Sequence, residues 1–103
     1  MSVLVEKSGL KLETIKSIQN VLRSNPEIKH AVLYGSRAMG TYRNGSDIDL
    51  CLKGKDLNTS LILKIENQLD DLLLPYTFDI CIYDKIDNQN LIDHIDRVGI
   101  SFI

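Results

Sequence analysis

The chain has little of what several protein classes require. It has no apolar run long enough to span a membrane. Its 12 basic and 14 acidic residues give a net charge of −2, and the basic residues do not form a stripe. Proteins that bind nucleic acid mainly through its phosphates carry such a stripe of Lys and Arg residues. We therefore expect neither membrane insertion nor direct nucleic-acid binding.

Cysteine is also scarce, with two residues, Cys51 and Cys81, and no CxxC motif. This usage is typical of a reducing compartment, and residues 1–7 lack the apolar centre of a signal peptide. We expect a cytoplasmic protein in which both cysteines are small, partly buried side chains. No repeat or linker divides the sequence, so residues 1–103 are predicted to form a single domain with a modest core.

The most informative segment begins with a short apolar stretch at residues 30–34. It is too short and too β-branched for a helix and predicts a buried strand. Gly35 then allows a sharp bend, and residues 36–39 are predicted to form one turn of helix before Gly40. A tight turn of this kind often has no role beyond connecting a strand to a helix.

The same turn is rich in groups that bind phosphate. Free backbone amides at the start of a helix favour an anion, and the Ser36 hydroxyl adds a further donor. Arg37 and Arg43 carry guanidinium groups suited to phosphate oxygens. Gly35, Ser36, Arg37 and Arg43 are therefore candidate nucleotide-binding residues.

A pair of carboxylates opens the next predicted strand. Because side chains in a strand alternate, Asp47 and Asp49 point the same way and repel each other unless a cation lies between them. Mg²⁺ prefers a few carboxylates plus substrate phosphates. Aspartate is poor in strands, which weighs against the alternative of a solvated edge. The predicted faces are Asp47, Asp49, Cys51 and Lys53 on one side, and Ile48, Leu50 and Leu52 on the other.

A third carboxylate, Asp79, lies on another alternating strand at residues 77–83. The stretch between the two strands, residues 58–73, has apolar residues at helical spacing. A helical crossover of this length permits the strands to be parallel, which would bring Asp79 beside Asp47 and Asp49. The strand at 30–34 should be antiparallel to the second strand, since the phosphate turn and the acids must meet at one end.

The remaining segments are predicted to be supporting structure. A first helix begins near Lys11 and ends before Pro26. A last helix includes residues 91–98, with Asp87 or Asn88 as N-cap and Gly99 as C-cap. The tail at 100–103 is either a short edge strand or a patch covered by a partner. We expect an α/β fold in which helices cover one face of a small mixed sheet and the acid-bearing face stays open. His30 and His94 are expected to be surface or boundary residues.

These motifs together resemble the nucleotidyltransferase superfamily of DNA polymerase β. The resemblance is carried by Gly35-Ser36, ten further residues, Asp47-Ile48-Asp49, and a strand with Asp79. The fuller pattern, Gly35-Ser36-Arg37-Ala38-Met39-Gly40 ending in Ser46-Asp47-Ile48-Asp49-Leu50, resembles the minimal (MNT) branch of that superfamily. Members of this branch are usually antitoxin partners of HEPN-domain ribonucleases, in toxin–antitoxin systems.

The resemblance implies a polymerase β palm-like fold and a Mg²⁺-dependent transfer of AMP from ATP to a hydroxyl. Asp47, Asp49 and Asp79 would be the catalytic residues and would hold two metal ions, while Gly35, Ser36 and Arg37 would cradle the β- and γ-phosphates. Larger members carry a further domain that binds the acceptor, and this chain leaves little beyond the palm. The implied acceptor is a tyrosine hydroxyl on a HEPN toxin, held in a hetero-oligomer.

Two other functions stay open. The chain could be a non-catalytic antitoxin that neutralises its partner by occlusion, although the intact acids weigh against this. It could instead modify a small molecule, as antibiotic-modifying nucleotidyltransferases do, although the absence of an acceptor domain weighs against that.

Overall fold

The computed structural model describes residues 3–103. Met1 and Ser2, which belong to the segment assessed for a signal peptide, lie outside the described residues. The helices are α1 (Val3–Ser8), α2 (Leu12–Arg23), α3 (Gly35–Met39), α4 (Thr59–Asp70) and α5 (Gln89–Val98). The strands are β1 (Ile28–Tyr34), β2 (Ile48–Gly54), β3 (Phe78–Ile82) and β4 (Ile100–Ser101), and a short 3-10 turn covers Tyr83–Lys85.

Within the described residues the strands form one mixed sheet in the order β3-β2-β1-β4. β1 is antiparallel to β2 and to β4, whereas β2 and β3 are parallel. The parallel pair is joined through α4, as a parallel connection requires. The predicted α/β class, the mixed sheet and both strand orientations are therefore confirmed.

The main core lies on one face of the sheet. Here α1, α2 and α4 contribute apolar residues at helical spacing against the inward residues of β1 and β2. Leu33, Leu50 and Leu52 are fully buried in this layer. The members from α1, α2 and α4 are Leu4, Ile15, Ile18, Leu22, Leu61, Ile65 and Leu69.

The opposite face is only partly open, which differs from the expectation that helices cover one face. There α5 packs on the sheet through Ile95, which is buried with Tyr34 and Cys51 in a second, smaller cluster. The physical reason is that α5 is strongly amphipathic and the face it covers is apolar beyond the acids. The acid-bearing face is therefore divided into an open end and a covered end.

The ends of the helices show which predictions of local structure hold. The Asn58 side chain accepts a hydrogen bond from the Leu61 amide at 2.9 Å and caps α4. Asn88 is the N-cap of α5, as predicted. α4 ends at Asp70, earlier than expected, and Leu73 is left 89% exposed with a positive φ.

Gly99 follows α5, but its φ of −59° is not the left-handed conformation of a C-cap glycine. It is required for space, because a Cβ there would lie 2.4 Å from the Ile95 carbonyl oxygen and 2.5 Å from Val32 Cγ1.

The tail behaves as an edge strand, the first of its two predicted alternatives. Ile100 and Ser101 pair with Leu33 and Val32, and Phe102 is buried in the main core. Among residues 3–103, no helix has the length and apolarity needed to cross a bilayer.

Candidate active site

Strand pairing brings the acid residues to one end of the sheet. Asp49 on β2 pairs with Asp79 on β3 across the parallel ladder, and with Tyr34 on β1 across the antiparallel ladder. Asp47 directly precedes β2. Gly35 directly follows Tyr34, so the glycine turn begins beside Asp49. The sheet therefore assembles the predicted acids and the predicted turn at the same place.

Gly35 is in close contact with Asp49. Its φ is +74°, which favours glycine, and a Cβ at this position would lie 2.2 Å from Asp49 Oδ2. A side chain at position 35 would therefore strain the backbone and push the carboxylate out of its place. The glycine of the motif leaves room for an acid as well as allowing a bend.

The electrostatics of Asp49 reflect this crowding. Its pKa is raised to about 6, first by burial and then by the negative charges of Asp79 and Asp47. A cation placed between these oxygens would remove the cause of the repulsion. Carboxylates are also the ligand type that Mg²⁺ prefers, so the donor set fits a hard divalent ion.

The three aspartates do not, however, form a ready-made chelate. Throughout residues 3–103, no group of three or more His, Cys, Asp or Glu side chains has the arrangement needed to hold a metal ion. Asp47 instead accepts a hydrogen bond from the Thr77 hydroxyl. This bond engages one of the two carboxylate oxygens of Asp47.

Arg37 is placed differently from the predicted phosphate ligand. The residue is 2% exposed. Its Nη1 donates to the Ser8 carbonyl at 2.7 Å, and its Nε donates to the Ser46 carbonyl at 3.1 Å. The rings of Tyr42 and Tyr76 lie 5.0 and 4.9 Å from the guanidinium carbon. These contacts argue against phosphate binding, because they direct Nε and Nη1 of a buried side chain toward backbone carbonyl oxygens.

The buried position of Arg37 gives it a structural task at the site. By binding the Ser46 carbonyl it ties the loop that precedes Asp47 to α1, which ends at Ser8. A buried charge that is held by hydrogen bonds and aromatic faces is costly to disturb.

The other predicted phosphate contacts are on or near the surface. Arg43 is exposed, and its backbone amide donates to Ser46 Oγ at 2.8 Å. Ser36 is partly buried, and its carbonyl accepts from the Gly40 amide and, at 3.0 Å, from the Thr41 amide. Arg43 is therefore the one of the two predicted arginines whose side chain is exposed.

His94 belongs to this site, although it was expected to be a surface or boundary residue. It is partly buried, and its Nε2 accepts a hydrogen bond from the Gly35 amide at 3.1 Å. Its ring meets the Tyr34 ring edge to face, with centroids 6.2 Å apart. No local sequence pattern indicates this contact, because the two residues are 59 positions apart.

Behind the acids, the face continues into a thiol pair. Cys51 and Cys81 are in register on β2 and β3, and both are free thiols. The Tyr34 hydroxyl lies 3.6 Å from Cys81 Sγ. Hydrogen bonding with Cys51 lowers the pKa of Cys81 to about 7, and burial raises the pKa of Tyr34. Cys81 is partly buried, as expected, whereas Cys51 is fully buried.

Comparison with known proteins agrees with this geometry. The sequence profile of the family described as "Polymerase beta, Nucleotidyltransferase" matches residues 16–103. No curated protein sequence matches the chain.

Solved structures share the fold. A crystal structure of a toxin–antitoxin with AMP-PNP superposes with a TM-score of 0.73 at 23% identity, over 86% of this chain and 72% of that one. The structure of a tri-AMPylated Shewanella oneidensis HEPN toxin in complex with MNT antitoxin gives a TM-score of 0.69 at 18% identity, over 91% of this chain and 72% of that one.

A crystal structure described as a putative nucleotidyltransferase from Sulfolobus solfataricus superposes with a TM-score of 0.56 at 18% identity, over 98% of this chain and 86% of that one. At these identities the likeness concerns the fold, while the family profile extends over most of the sequence. The chain belongs to the polymerase beta nucleotidyltransferase family.

Proposed function

We propose that this protein transfers AMP from ATP to a hydroxyl of a partner HEPN toxin, in a Mg²⁺-dependent reaction, and acts as the antitoxin of that partner. The single observation that carries the proposal is the pairing of Asp49 with Asp79 beside the Gly35 turn. This arrangement combines acids for a metal with a turn for a phosphate. A tyrosine is the acceptor we expect, and the cytoplasm is the compartment.

In this proposal Asp47, Asp49 and Asp79 hold the metal ions. Bound Mg²⁺ would neutralise the triphosphate and stabilise charge on the attacking and leaving oxygens. A cation would favour the carboxylate form of Asp49, which burial and the acidic neighbours disfavour. Gly35 and Ser36 would border the phosphates, with Arg43 as the exposed guanidinium nearby.

We assign Asp79 as the residue that takes the proton from the acceptor hydroxyl. It is exposed on β3, at an edge of the sheet, so a hydroxyl from a second protein can approach it. The acceptor oxygen would form a bond to the α-phosphorus while the bond from that phosphorus to pyrophosphate breaks. The hydroxyl proton would pass to an Asp79 oxygen.

The structural neighbours support the choice of nucleotide and partner. One was solved with AMP-PNP, an ATP analogue, and another contains a tri-AMPylated HEPN toxin with its MNT antitoxin. The fuller glycine–serine motif of this chain resembles the same minimal branch.

The test is intact-mass spectrometry of the partner toxin after incubation with this protein and Mg-ATP. We expect a mass gain of one or more AMP groups, and tyrosine as the modified residue by peptide mapping. The gain should disappear with Asp47→Asn and persist with the control Asp70→Asn, which changes an exposed acid at the end of α4.

A second experiment separates binding from chemistry. Asp79→Asn should lower the turnover rate far more than it weakens ATP binding, because a base acts in the transition state. An unchanged rate would mean that Asp79 is a structural acid.

Occlusion is the second candidate, and one observation favours it: Asp47 is hydrogen-bonded to Thr77 instead of forming a ready-made metal group. No mass gain, together with full neutralisation of the toxin by the Asp47 variant, would establish occlusion. Adenylylation of small hydroxyl compounds without any change in the toxin would indicate a small-molecule enzyme.

A further inference from the structure

We propose that His94 is a positioning residue of the active site, which holds the Gly35 turn at a fixed place beside Asp49. The inference rests on the proposed function, because it concerns the alignment of the nucleotide with the acids. It assigns a role to a residue that lies outside the glycine–serine and aspartate motifs.

The contact is specific in its atoms. His94 Nε2 accepts the Gly35 N–H at 3.1 Å. In this contact Nε2 acts as the acceptor, which is possible because an imidazole nitrogen that carries no hydrogen has a free lone pair. The edge-to-face contact with the Tyr34 ring, at an interplanar angle of 81°, fixes the orientation of the imidazole.

Gly35 is consequently constrained from two directions. Its amide is held by His94, and its Cα has Asp49 Oδ2 so close that a Cβ could not be added. If the His94 acceptor were lost, the Gly35 amide at the start of the turn would lose its hydrogen bond to α5, and the contacts of Arg37 would restrain only the later part of the turn. The position of the turn relative to the carboxylate therefore depends on α5.

α5 is a rigid support for this task. Ile95, the next residue, is 2% exposed and packs in the cluster with Tyr34 and Cys51. Gly99 at the end of the helix lies too close to Val32 of β1 for any side chain. The helix is thus fixed to the strand from which the turn emerges, and His94 transmits that fixed geometry to Gly35.

The hydrogen bond also divides the amides of the turn into two classes. The Gly35 amide is occupied by His94, so the amides that follow it are left for the triphosphate. His94 should therefore affect alignment more than affinity. A misplacement of about 1 Å can cost roughly 100-fold in rate. We expect His94→Leu to lower kcat between about 10- and 100-fold while the affinity for Mg-AMP-PNP changes less than about 3-fold.

The first experiment does not depend on catalysis. Amide hydrogen exchange in the metal-free protein, measured by NMR, reports directly on the Gly35 N–H. We expect it to exchange at least about 10-fold faster in His94→Leu. His94→Gln, whose side-chain oxygen can replace Nε2 as acceptor, should keep most of the protection. His30→Leu, on the exposed part of β1, is the matched control.

Unchanged Gly35 protection in His94→Leu would overturn the inference, and so would equal loss of protection in the Leu and Gln variants. If the Leu variant does not fold, the Gln variant and the wild type decide: fast Gly35 exchange in a folded His94→Gln also overturns it.

The second experiment measures the rate of AMP transfer and the affinity for Mg-AMP-PNP in the same variants. A fall in kcat at nearly constant affinity, partly restored by Gln, supports positioning. A loss of affinity that matches the loss of rate would overturn it. If the wild-type protein transfers no AMP, the proposed function fails, while Gly35 exchange and AMP-PNP binding still test the role of His94.

Discussion

The two ends of one sheet face differ sharply, although the same strands build both. Asp49 and Cys51 lie on β2, two positions apart on the same side, and their β3 partners are Asp79 and Cys81. Cys51 has no exposed surface, whereas Asp49 is partly exposed. The difference arises because α5 covers the thiol end and leaves the acid end open.

This comparison shows that strand alternation determines the side of a residue but not its exposure. At the open end, charged groups can meet solvent, substrate or a cation. At the covered end, small thiols and the Tyr34 ring fill the space beneath Ile95. A single strand, β2, thus contributes both to the candidate active site, through Asp49, and to a buried cluster, through Cys51.

The largest expected effect is at the open end. Asp49→Asn should reduce AMP transfer by roughly 1,000-fold, since loss of a metal ligand removes several kcal/mol of transition-state stabilisation. The fold should be retained, because the change relieves repulsion among the acids. Initial rates with radiolabelled ATP measure the first effect, and thermal denaturation measures the second.

Asp84→Asn, at an exposed position in the 3-10 turn, is the control and should keep the wild-type rate. Transfer at the wild-type rate by Asp49→Asn would show that the acid end is not the catalytic site.

At the covered end the same kind of residue should be damaging. Cys51→Asp places a carboxylate two positions farther along β2, under α5, and should lower the free energy of unfolding by about 3 kcal/mol or more. Cys51→Ala should cost about 1 kcal/mol. Urea denaturation compares the two. Equal stability of the variants would mean that α5 does not seal this half of the face.

The arginines of the motif offer a smaller contrast. Arg37→Met should destabilise the protein by about 2 kcal/mol, because the carbonyls of the buried Ser8 and the half-buried Ser46 lose their donors. Arg37→Lys should restore little of this, since an ammonium group cannot reproduce the planar fork. Arg43→Met should leave stability unchanged, and chemical denaturation of the three variants tests the ranking. An equal loss of stability in Arg37→Met and Arg43→Met would contradict this ranking.

The smallest effect is a pH dependence without metal. Asp49 has an ordinary pKa of 3.8 and a folded-state pKa of about 6. Between these values the folded protein binds more protons than the unfolded chain, so stability falls as pH rises from about 4 to 6. After a discount for the partial exposure of the carboxylate, the loss is on the order of 1 kcal/mol.

Urea denaturation in EDTA at several pH values, with Asp49→Asn as reference, isolates this contribution from those of other carboxylates. The variant should lack the decline. Parallel curves for both proteins would contradict the assignment of the shift to Asp49.

Part of the acid end, the pairing of Asp49 with Asp79, was predictable from the sequence. Period-two alternation at β2 and β3, with a helix between them, was enough to predict that Asp49 and Asp79 converge. The antiparallel arrangement of β1 and β2 followed from the need for the turn and the acids to meet. These predictions succeed because they depend on local side-chain alternation and on the rule that a helical crossover joins parallel strands.

The rest depended on contacts between distant parts of the chain. The burial of Arg37 depends on Tyr42 and Tyr76, and its ties depend on Ser8 and Ser46, none of which alters the periodicity of the motif. The thiol end is covered because α5 packs on that face of the sheet. His94 acts on Gly35 from the other end of the sequence. Such packing choices leave no short-range signature.

The parallel register of β2 and β3 has a consequence for how the protein acquires activity. A slip of one residue would turn Asp79 to the apolar side of the sheet and Ile80 to the acid side. The same slip would therefore break the core and the site together. Folded molecules with a misassembled site should then be rare, and the activity of a preparation should be proportional to its folded fraction.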